Sequence, residues 1–188
     1  VKSSADVAAV GQEIVFTVTL SDAAKIDSMA LVPVYDGNIF ELVAGEWLMK
    51  GAIADFDPIL GDGVLGFSSP TDANGTVARF TLRVKEVTSL GVCGVGCELT
   101  LNDGQNRTLS SDTADLRVAP LQPGDIDGDG HPATMIDVAV LVRYIANWPG
   151  YDRKIILSAA DLDGDGHPAT MIDVAVLVRH IAGWPGYE

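Results

Sequence analysis

The hydrophobic pattern of residues 1–118 has a period of two. It is clearest in two segments, whose apolar positions are Ile14, Phe16, Val18 and Leu20 in the first and Ala78, Phe80, Leu82 and Val84 in the second. A period of two is that of a β-strand with one buried face. Further short apolar runs lie between clusters of Gly, Asp, Asn and Pro, without a long helical pattern. Residues 1–118 are therefore predicted to form an antiparallel β-sandwich.

The C-terminal third has a helical period instead. Apolar residues recur at helical spacing within 138–146, and the same pattern returns 36 residues later. Asn147 and Gly183 follow the two segments, and both residue types tolerate the left-handed backbone that commonly ends a helix. The sequence thus predicts a small all-α module at 124–188, after a short Pro-containing linker at 119–123.

The two predicted helices belong to a duplication. Residues 125–151 and 161–187 differ at three positions, Ile126/Leu162, Tyr144/His180 and Asn147/Gly183. Each copy opens with D-x-D-x-D-G and continues into the apolar segment. A single copy would also suit an Asp-Gly turn followed by a helix-capping Asp, but two copies favour a pair of calcium loops.

Each loop offers the oxygen ligands that Ca²⁺ requires, with a glycine at the sharp turn. The predicted ligands for two Ca²⁺ are the carboxylates of Asp125, Asp127, Asp129, Asp137, Asp161, Asp163, Asp165 and Asp173, with the backbone carbonyls of His131 and His167. The closing Asp137 is predicted to bind through both oxygens. A transition-metal site built on the two histidines is the alternative, which the oxygen-rich surroundings disfavour.

Both loops are one residue longer than the usual calcium loop. Counted from Asp125, the closing Asp137 is at position 13 instead of 12, and Pro132 occupies position 8. Proline cannot donate the backbone hydrogen bond that usually pairs two such loops. The inserted residue is expected to let the loop bulge around Pro-Ala-Thr and still deliver the aspartate.

The net charge and the cysteines argue against several classes of partner and site. The net charge is −14, and residues 122–188 contribute −6, which two Ca²⁺ would reduce to −2. An acidic chain is a poor ligand for nucleic acid or for anionic lipid, and no run of residues predicts membrane insertion. Cys93 and Cys97 form a poor zinc site and are either two free thiols or a local disulfide. No constellation of residues predicts a catalytic site, so we expect a protein that is not an enzyme.

The duplicated module resembles a dockerin, a calcium-loop–helix pair found in cellulosomes and related extracellular bacterial assemblies. The match covers Gly124 to Tyr187, and Gln122-Pro-Gly leaves no room for the helix that precedes each loop in an ordinary EF-hand. The resemblance implies an EF-hand-like fold, a cohesin partner and a secreted or cell-surface location in a bacterium.

The resemblance also implies which residues contact the cohesin. Carried over by alignment to the closing aspartates, these are Met135, Ile136, Val142, Arg143, Met171, Ile172, Val178 and Arg179. Dockerins commonly have Ser or Thr at the first pair, so Met-Ile implies a more apolar interface. The alternative is that Met135 and Ile136 cover the small core. Because the copies are nearly identical, two binding orientations are open.

The N-terminal part resembles a cohesin, which implies a jelly-roll sandwich. The resemblance is carried by the segments 11–18, 30–43 and 75–85, which include the Tyr35-Asp36 turn and the strand that ends in Val84-Lys85. It transfers no contact residue. It implies that the sandwich is a candidate receptor for another dockerin, including that of a second copy of the chain.

Together these features predict a non-catalytic, calcium-dependent adaptor of a cellulosome-like assembly. In the main alternative, the sandwich is a carbohydrate-binding or accessory module that is anchored through the dockerin. A calcium sensor or buffer is a third possibility, which the missing helix before each loop disfavours.

Overall fold

The computed structural model describes residues 1–85 and 87–187. In these residues the chain forms nine strands and two α-helices. The strands are β1 (Lys2–Ser3), β2 (Val7–Ala9), β3 (Glu13–Val34), β4 (Phe40–Trp47), β5 (Ile53–Asp57), β6 (Asp62–Val84), β7 (Gly91–Asn102), β8 (Asn106–Ser110) and β9 (Ala114–Ala119). The helices are α1 (Met135–Ile145) and α2 (Met171–Ile181), with a 3-10 turn at Leu157–Ala159 between them.

The long strands β3 and β6 form the frame of the sandwich. They pair antiparallel from Glu13 to Leu31 of β3, but the register shifts four times between Val18 and Ser28. Asp22 and Lys25 adopt positive φ in this stretch, and bulges of this kind bend a strand. The bend divides the β3–β6 pair into two halves. β1 and β4 extend one half, and β5, β7 and β8 extend the other.

The alternating segments bury the face that their pattern predicted. Ile14, Phe16 and Val18 on β3 are buried, and Phe80 and Leu82 are buried opposite them on β6. The Phe16 and Phe80 rings stack with their centroids 5.4 Å apart. The predicted sandwich is confirmed. Its sheet is mixed and not wholly antiparallel, because β2 runs parallel to β9.

The packing of the chain divides it into two compact units that are not continuous in sequence. One unit contains residues 1–4, 13–85 and 93–115. The other contains residues 5–12 and 116–187, together with 87–92. The boundaries at 118 and 124 that the sequence predicts for the two modules remain a prediction.

The second unit has its own hydrophobic core between the two helices. The core contains Val138 and Leu141 of α1, Val174 and Leu177 of α2, and Ile156 from the segment between the repeats. Strand β2 also contributes to this core through Val7 and Ala9, as does Ala119. No helix among the described residues is long and apolar enough to cross a membrane.

The two cysteines lie on one strand, and both are free thiols. Cys93 and Cys97 are four residues apart on β7. At about 3.3 Å per residue, their Cα atoms are roughly 13 Å apart, beyond the reach of a disulfide. Of the two states that the sequence left open, the structure therefore has the free thiols.

Candidate metal centres and interaction face

Each repeat helix begins at a capping box. Thr134 is the N-cap of α1, and its hydroxyl accepts hydrogen bonds from the backbone N–H groups of Ile136 and Asp137. The Asp137 carboxylate accepts in return from the Thr134 backbone N–H, at 2.8 Å. Thr170 and Asp173 repeat this arrangement at α2. Capping of this kind satisfies backbone N–H groups that the start of a helix leaves without partners.

Asp137 also connects the start of α1 to the start of the loop. It is fully buried, and its Oδ1 accepts from the backbone N–H groups of Ile126, at 2.7 Å, and Asp127, at 3.3 Å. Asp173 does the same for Leu162 and Asp163 in the second repeat. The closing aspartates therefore organise the loops through hydrogen bonds. Coordination of an ion through both of their oxygens stays a prediction.

The alanine of the Pro-Ala-Thr segment in each loop occupies a left-handed conformation. Ala133 has φ +58° and Ala169 has φ +62°. The Ala133 N–H donates to the Gly124 carbonyl at 3.0 Å, and the Ala169 N–H donates to the Ala160 carbonyl at 3.2 Å. The chain thus turns once more before Thr134 or Thr170 starts the helix. This is the bulge that the sequence led us to expect.

The loops bring carboxylate oxygens together in two places. Ligand atoms of Asp125, Asp127 and Asp137 lie within 4.8 Å of one another, as do those of Asp161, Asp163 and Asp165. Among the described residues, Asp129 and Asp173 do not join these convergent sets. Instead, Asp129 accepts a hydrogen bond from the His131 N–H at 2.8 Å. The His131 side chain is exposed, and a backbone carbonyl ligand at His131 or His167 stays a prediction.

The surroundings of two aspartates in the first cluster disfavour their negative charge, and a bound hard cation would offset this effect. Burial raises the pKa of Asp125, although hydrogen bonds from Gly130 and Asp129 oppose the shift. Burial and the neighbouring carboxylates of Asp129 and Asp137 raise the pKa of Asp127. For Asp173, burial also disfavours the charge, but hydrogen bonds from Thr170 and Leu162 outweigh it and lower the pKa.

The second cluster contains a buried oxygen that lacks a partner. Asp161 Oδ1 is buried without a hydrogen-bond donor among the described residues, while Oδ2 accepts from the Gly166 N–H at 3.2 Å. A buried carboxylate oxygen without a donor is costly unless a cation neutralises it. With an all-oxygen donor set around it, this atom fits Ca²⁺.

The predicted partner residues lie on the exposed side of the two helices. Met135 and Met171 are each 62% exposed, and Ile136 and Ile172 are each 58% exposed. Val142 and Val178 are also exposed, at 39% and 41%. The two copies therefore present nearly equal apolar surface. This exposure favours partner contact over a role as core cover for Met135 and Ile136, and the contact itself stays a prediction.

The arginines of this face are held by aromatic rings from the segment that follows each helix, which are not among the predicted site residues. The Arg143 guanidinium lies 5.5 Å from the Trp148 ring and 5.4 Å from the Tyr151 ring, and it donates to the Tyr151 hydroxyl at 3.1 Å. Arg179, Trp184 and Tyr187 repeat this cluster. Trp148 and Trp184 are more than half exposed, so they lie outside the core. The signal was the WPGY motif that recurs in both repeats.

The helix ends agree with the sequence analysis. α1 and α2 end at Ile145 and Ile181, and Asn147 and Gly183 follow with φ of +53° and +65°. The Trp148 N–H then donates to the Arg143 carbonyl at 3.0 Å, a 6→1 bond of the Schellman type. This turn carries Trp148 back toward Arg143.

Part of the chain matches a known family model. Residues 123–182 match the family model of the Dockerin type I domain. A search of curated proteins found no match.

The solved structures that match the chain include cohesin modules. One is the cohesin module of a family 33 glycoside hydrolase from Clostridium perfringens, with 15% identity, 61% of this chain and 91% of that chain covered, and a TM-score of 0.44. A non-cellulosomal cohesin from the archaeon Archaeoglobus fulgidus has 18% identity, 63% and 88% coverage and a TM-score of 0.46. The third ScaB cohesin of R. flavefaciens, solved with a group 1 dockerin, has 18% identity, 65% and 94% coverage and a TM-score of 0.46. Each of these similarities is remote, both in sequence identity and in TM-score. The family match lies on the module that the sequence predicts at 124–188.

Proposed function

We propose that this chain is a non-catalytic, calcium-dependent adaptor of an extracellular assembly, in which the duplicated module binds a cohesin. The observation that carries the proposal is the duplicated apolar face. Each copy exposes a methionine, an isoleucine and a valine beside an arginine held by two rings. Exposed apolar groups on rigid, capped helices are what a partner surface requires.

Calcium has a defined place in this proposal. The aspartates of the two loops would hold one ion each, and bound Ca²⁺ would neutralise carboxylates that the fold brings close together. The residues themselves fix the helix starts through Thr134 and Thr170 and orient the exposed face. The face depends on the loops because α1 and α2 begin directly at the closing segments.

The interface is tested by calorimetric titration of the full chain with a panel of cohesins in calcium. The exposed methionines are replaced singly and together, as Met135→Asp, Met171→Asp and the double variant. We expect the double variant to lose binding, because each charge would be buried unpaired against the partner. Ile59→Ser is the matched control, since Ile59 is an exposed apolar residue on the β5–β6 turn.

The single variants distinguish one binding orientation from two. The two faces have nearly equal exposure, so in this proposal either repeat can make the main contact with the cohesin. Either single variant should then retain binding through the intact copy. A complete loss in one single variant would show that only that copy is used. Unchanged binding by the double variant would contradict the proposed face.

The role of the sandwich is tested by light scattering of the full chain, with Ca²⁺ and then with chelator. A calcium-dependent dimer would show that the sandwich of one copy binds the module of another. A cellulose pull-down of the full chain tests the alternative in which the sandwich binds carbohydrate. The Trp47 indole N–H donates to the Asp55 carbonyl at 3.0 Å. This N–H is therefore already used in a hydrogen bond within the sandwich.

A further inference from the structure

The two calcium loops have nearly the same sequence but different surroundings. Asp125 at the start of the first loop is 1% exposed, whereas its counterpart Asp161 is partly exposed. Gly128 is buried, whereas Gly164 at the same loop position is exposed. Ile126 and Leu162 are the only residues that differ between the two loops. The difference therefore arises from what packs on each loop.

A segment from the N-terminal end of the chain covers the first loop. Residues 5–12 belong to the same compact unit as the repeats. A Cβ placed on Gly128 would overlap the Val7 side chain and would lie 2.9 Å from Ile156 Cδ1. A Cβ placed on Gly164 would meet no atom within 4 Å. The first loop is thus held against Val7 at Gly128, whereas Gly164 of the second loop faces open space.

The covering segment is fastened on both sides. The Asp6 N–H donates to the Arg153 carbonyl at 2.8 Å, and the Arg117 N–H donates to the Asp6 carbonyl at 3.0 Å. The Asp6 carboxylate also pairs with the Arg153 guanidinium at 2.7 Å. β2 then continues along β9, with Ala9 opposite Ala119. Val7 therefore has a fixed position over the loop.

The covered loop is also the more completely hydrogen-bonded one. In the first loop, Asp125 Oδ1 accepts from the Asp129 N–H and Oδ2 accepts from the Gly130 N–H, both at 3.1 Å. In the second loop, Asp161 Oδ1 is the buried oxygen without a donor among the described residues. A loop whose backbone is already fixed loses less conformational freedom when it binds an ion. Its carboxylates also attract a cation more strongly where water is excluded.

We propose that the N-terminal segment 5–12 is a positioning element for the first calcium loop, so that the two nearly identical loops bind calcium with unequal affinity, the first more tightly. The inference rests on the proposed function, because it assumes that both loops bind calcium. It assigns a role to residues that lie more than a hundred positions before the loop in sequence.

The matched pair Gly128→Ala and Gly164→Ala tests this in the full chain. Both glycines have positive φ, +66° and +73°, so both substitutions carry similar backbone strain. Only the first also collides with Val7. Calcium is titrated calorimetrically, and Asp163→Ala identifies the step that belongs to the second loop. For the unmodified chain we expect two steps about tenfold apart in affinity.

The effect of the segment itself is tested with Val7→Ala. This variant should weaken the tighter step about fivefold and leave the weaker step nearly unchanged. Gly128→Ala should weaken the tighter step more than Gly164→Ala weakens the other. Adding Val7→Ala to Gly128→Ala should restore part of the loss, because it removes the collision. Circular dichroism of each variant in calcium verifies that the helices are intact.

The outcomes separate the inference from the function on which it rests. No calcium binding by the unmodified chain would contradict the proposed function. Two ions bound with equal affinity, or an equal response of both steps to Val7→Ala, would overturn the inference alone. Absence of any rescue in the Val7→Ala, Gly128→Ala double variant would also overturn it.

Discussion

Asp137 and Asp173 have a structural role at the residue scale that is separable from ion binding. Each is fully buried and accepts hydrogen bonds from backbone groups on both the loop and the helix start. An unpaired buried N–H costs about 1–3 kcal/mol. Replacement of either residue is therefore expected to destabilise the fold through the lost hydrogen bonds, apart from any effect on ion binding.

Replacement of Asp137 by Ala and by Asn separates the two roles. Both substitutions remove the negative charge, but Asn retains one acceptor oxygen. At saturating calcium, we expect Asp137→Ala to lower the free energy of unfolding by about 1–3 kcal/mol more than Asp137→Asn does. Urea denaturation followed by circular dichroism measures the difference. Equal losses would mean that the hydrogen bonds contribute little and that charge alone matters.

Cys97 is predicted to be an unreactive thiol. It is buried on β7, and burial raises its pKa, although a hydrogen bond with Ser111 opposes the shift. A raised pKa lowers the thiolate fraction at any given pH, so alkylation should be slow at pH 7 and should accelerate only above the usual range for cysteine. Iodoacetamide labelling of native and urea-unfolded protein measures this. Cys93, which is partly exposed, is the internal control, and faster labelling of native Cys97 than of Cys93 would contradict the prediction.

At the scale of elements, a phenylalanine between two glycines joins three strands of the sandwich. A Cβ placed on Gly45 of β4 or on Gly63 of β6 would overlap the Phe56 ring on β5. Phe56 lies directly opposite Gly63 in the β5–β6 register. The glycines are thus required for space at these two positions, since the ring occupies the volume of a side chain on each neighbour.

Gly45→Ala should therefore destabilise the sandwich by overpacking, by about 1–3 kcal/mol in the free energy of unfolding. The loss should shrink in a Phe56→Leu background, because the ring that causes the collision is gone. Gly37→Ala is the control, as a Cβ there meets no atom within 4 Å. Chemical denaturation of the four variants measures the coupling. A loss that is as large in the Phe56→Leu background as in the unmodified chain would refute the packing explanation.

The sequence predicted those elements that depend on local pattern. The alternation around Phe16 and Phe80 located two buried strand faces, and the repeat located both helices and their left-handed ends at Asn147 and Gly183. The duplicated aspartates located the loops. Each of these signals lies within a few residues, where periodicity and residue type determine the outcome.

Features that depend on distant contacts could not be predicted. The bend of β3 depends on register shifts against β6, about fifty residues away. The contact of Val7 with Gly128 depends on a segment that alternation alone assigns to the sandwich. The aromatic clusters around Arg143 and Arg179 required the chain reversal after each helix, which directs Trp148 and Trp184 back to the arginines.

At the scale of the whole molecule, the acidic charge is expected to affect the stability of the helical unit more than that of the sandwich. The net charge is −14, of which −6 lies within residues 122–188. Like charges in a compact unit oppose its folded state. In the loops the repulsion is concentrated, because three carboxylates converge in each of two places. Two bound Ca²⁺ would remove most of the excess, so the helical unit should depend on calcium while the sandwich should not.

Removal of calcium is therefore expected to divide the thermal unfolding of the full chain. In excess Ca²⁺, the signal of α1 and α2 at 222 nm should be lost at a higher temperature than in chelator. In chelator this signal should already be weak at room temperature. The reason is that about 65 residues with a modest core depend on a metal for stability. The transition of the sandwich, followed by β-sheet signal, should move little. Sodium chloride at equal ionic strength is the control for general screening, and it should not replace calcium. Helicity that is retained in chelator would contradict the prediction, because the caps and core of the repeats would then suffice without the ions.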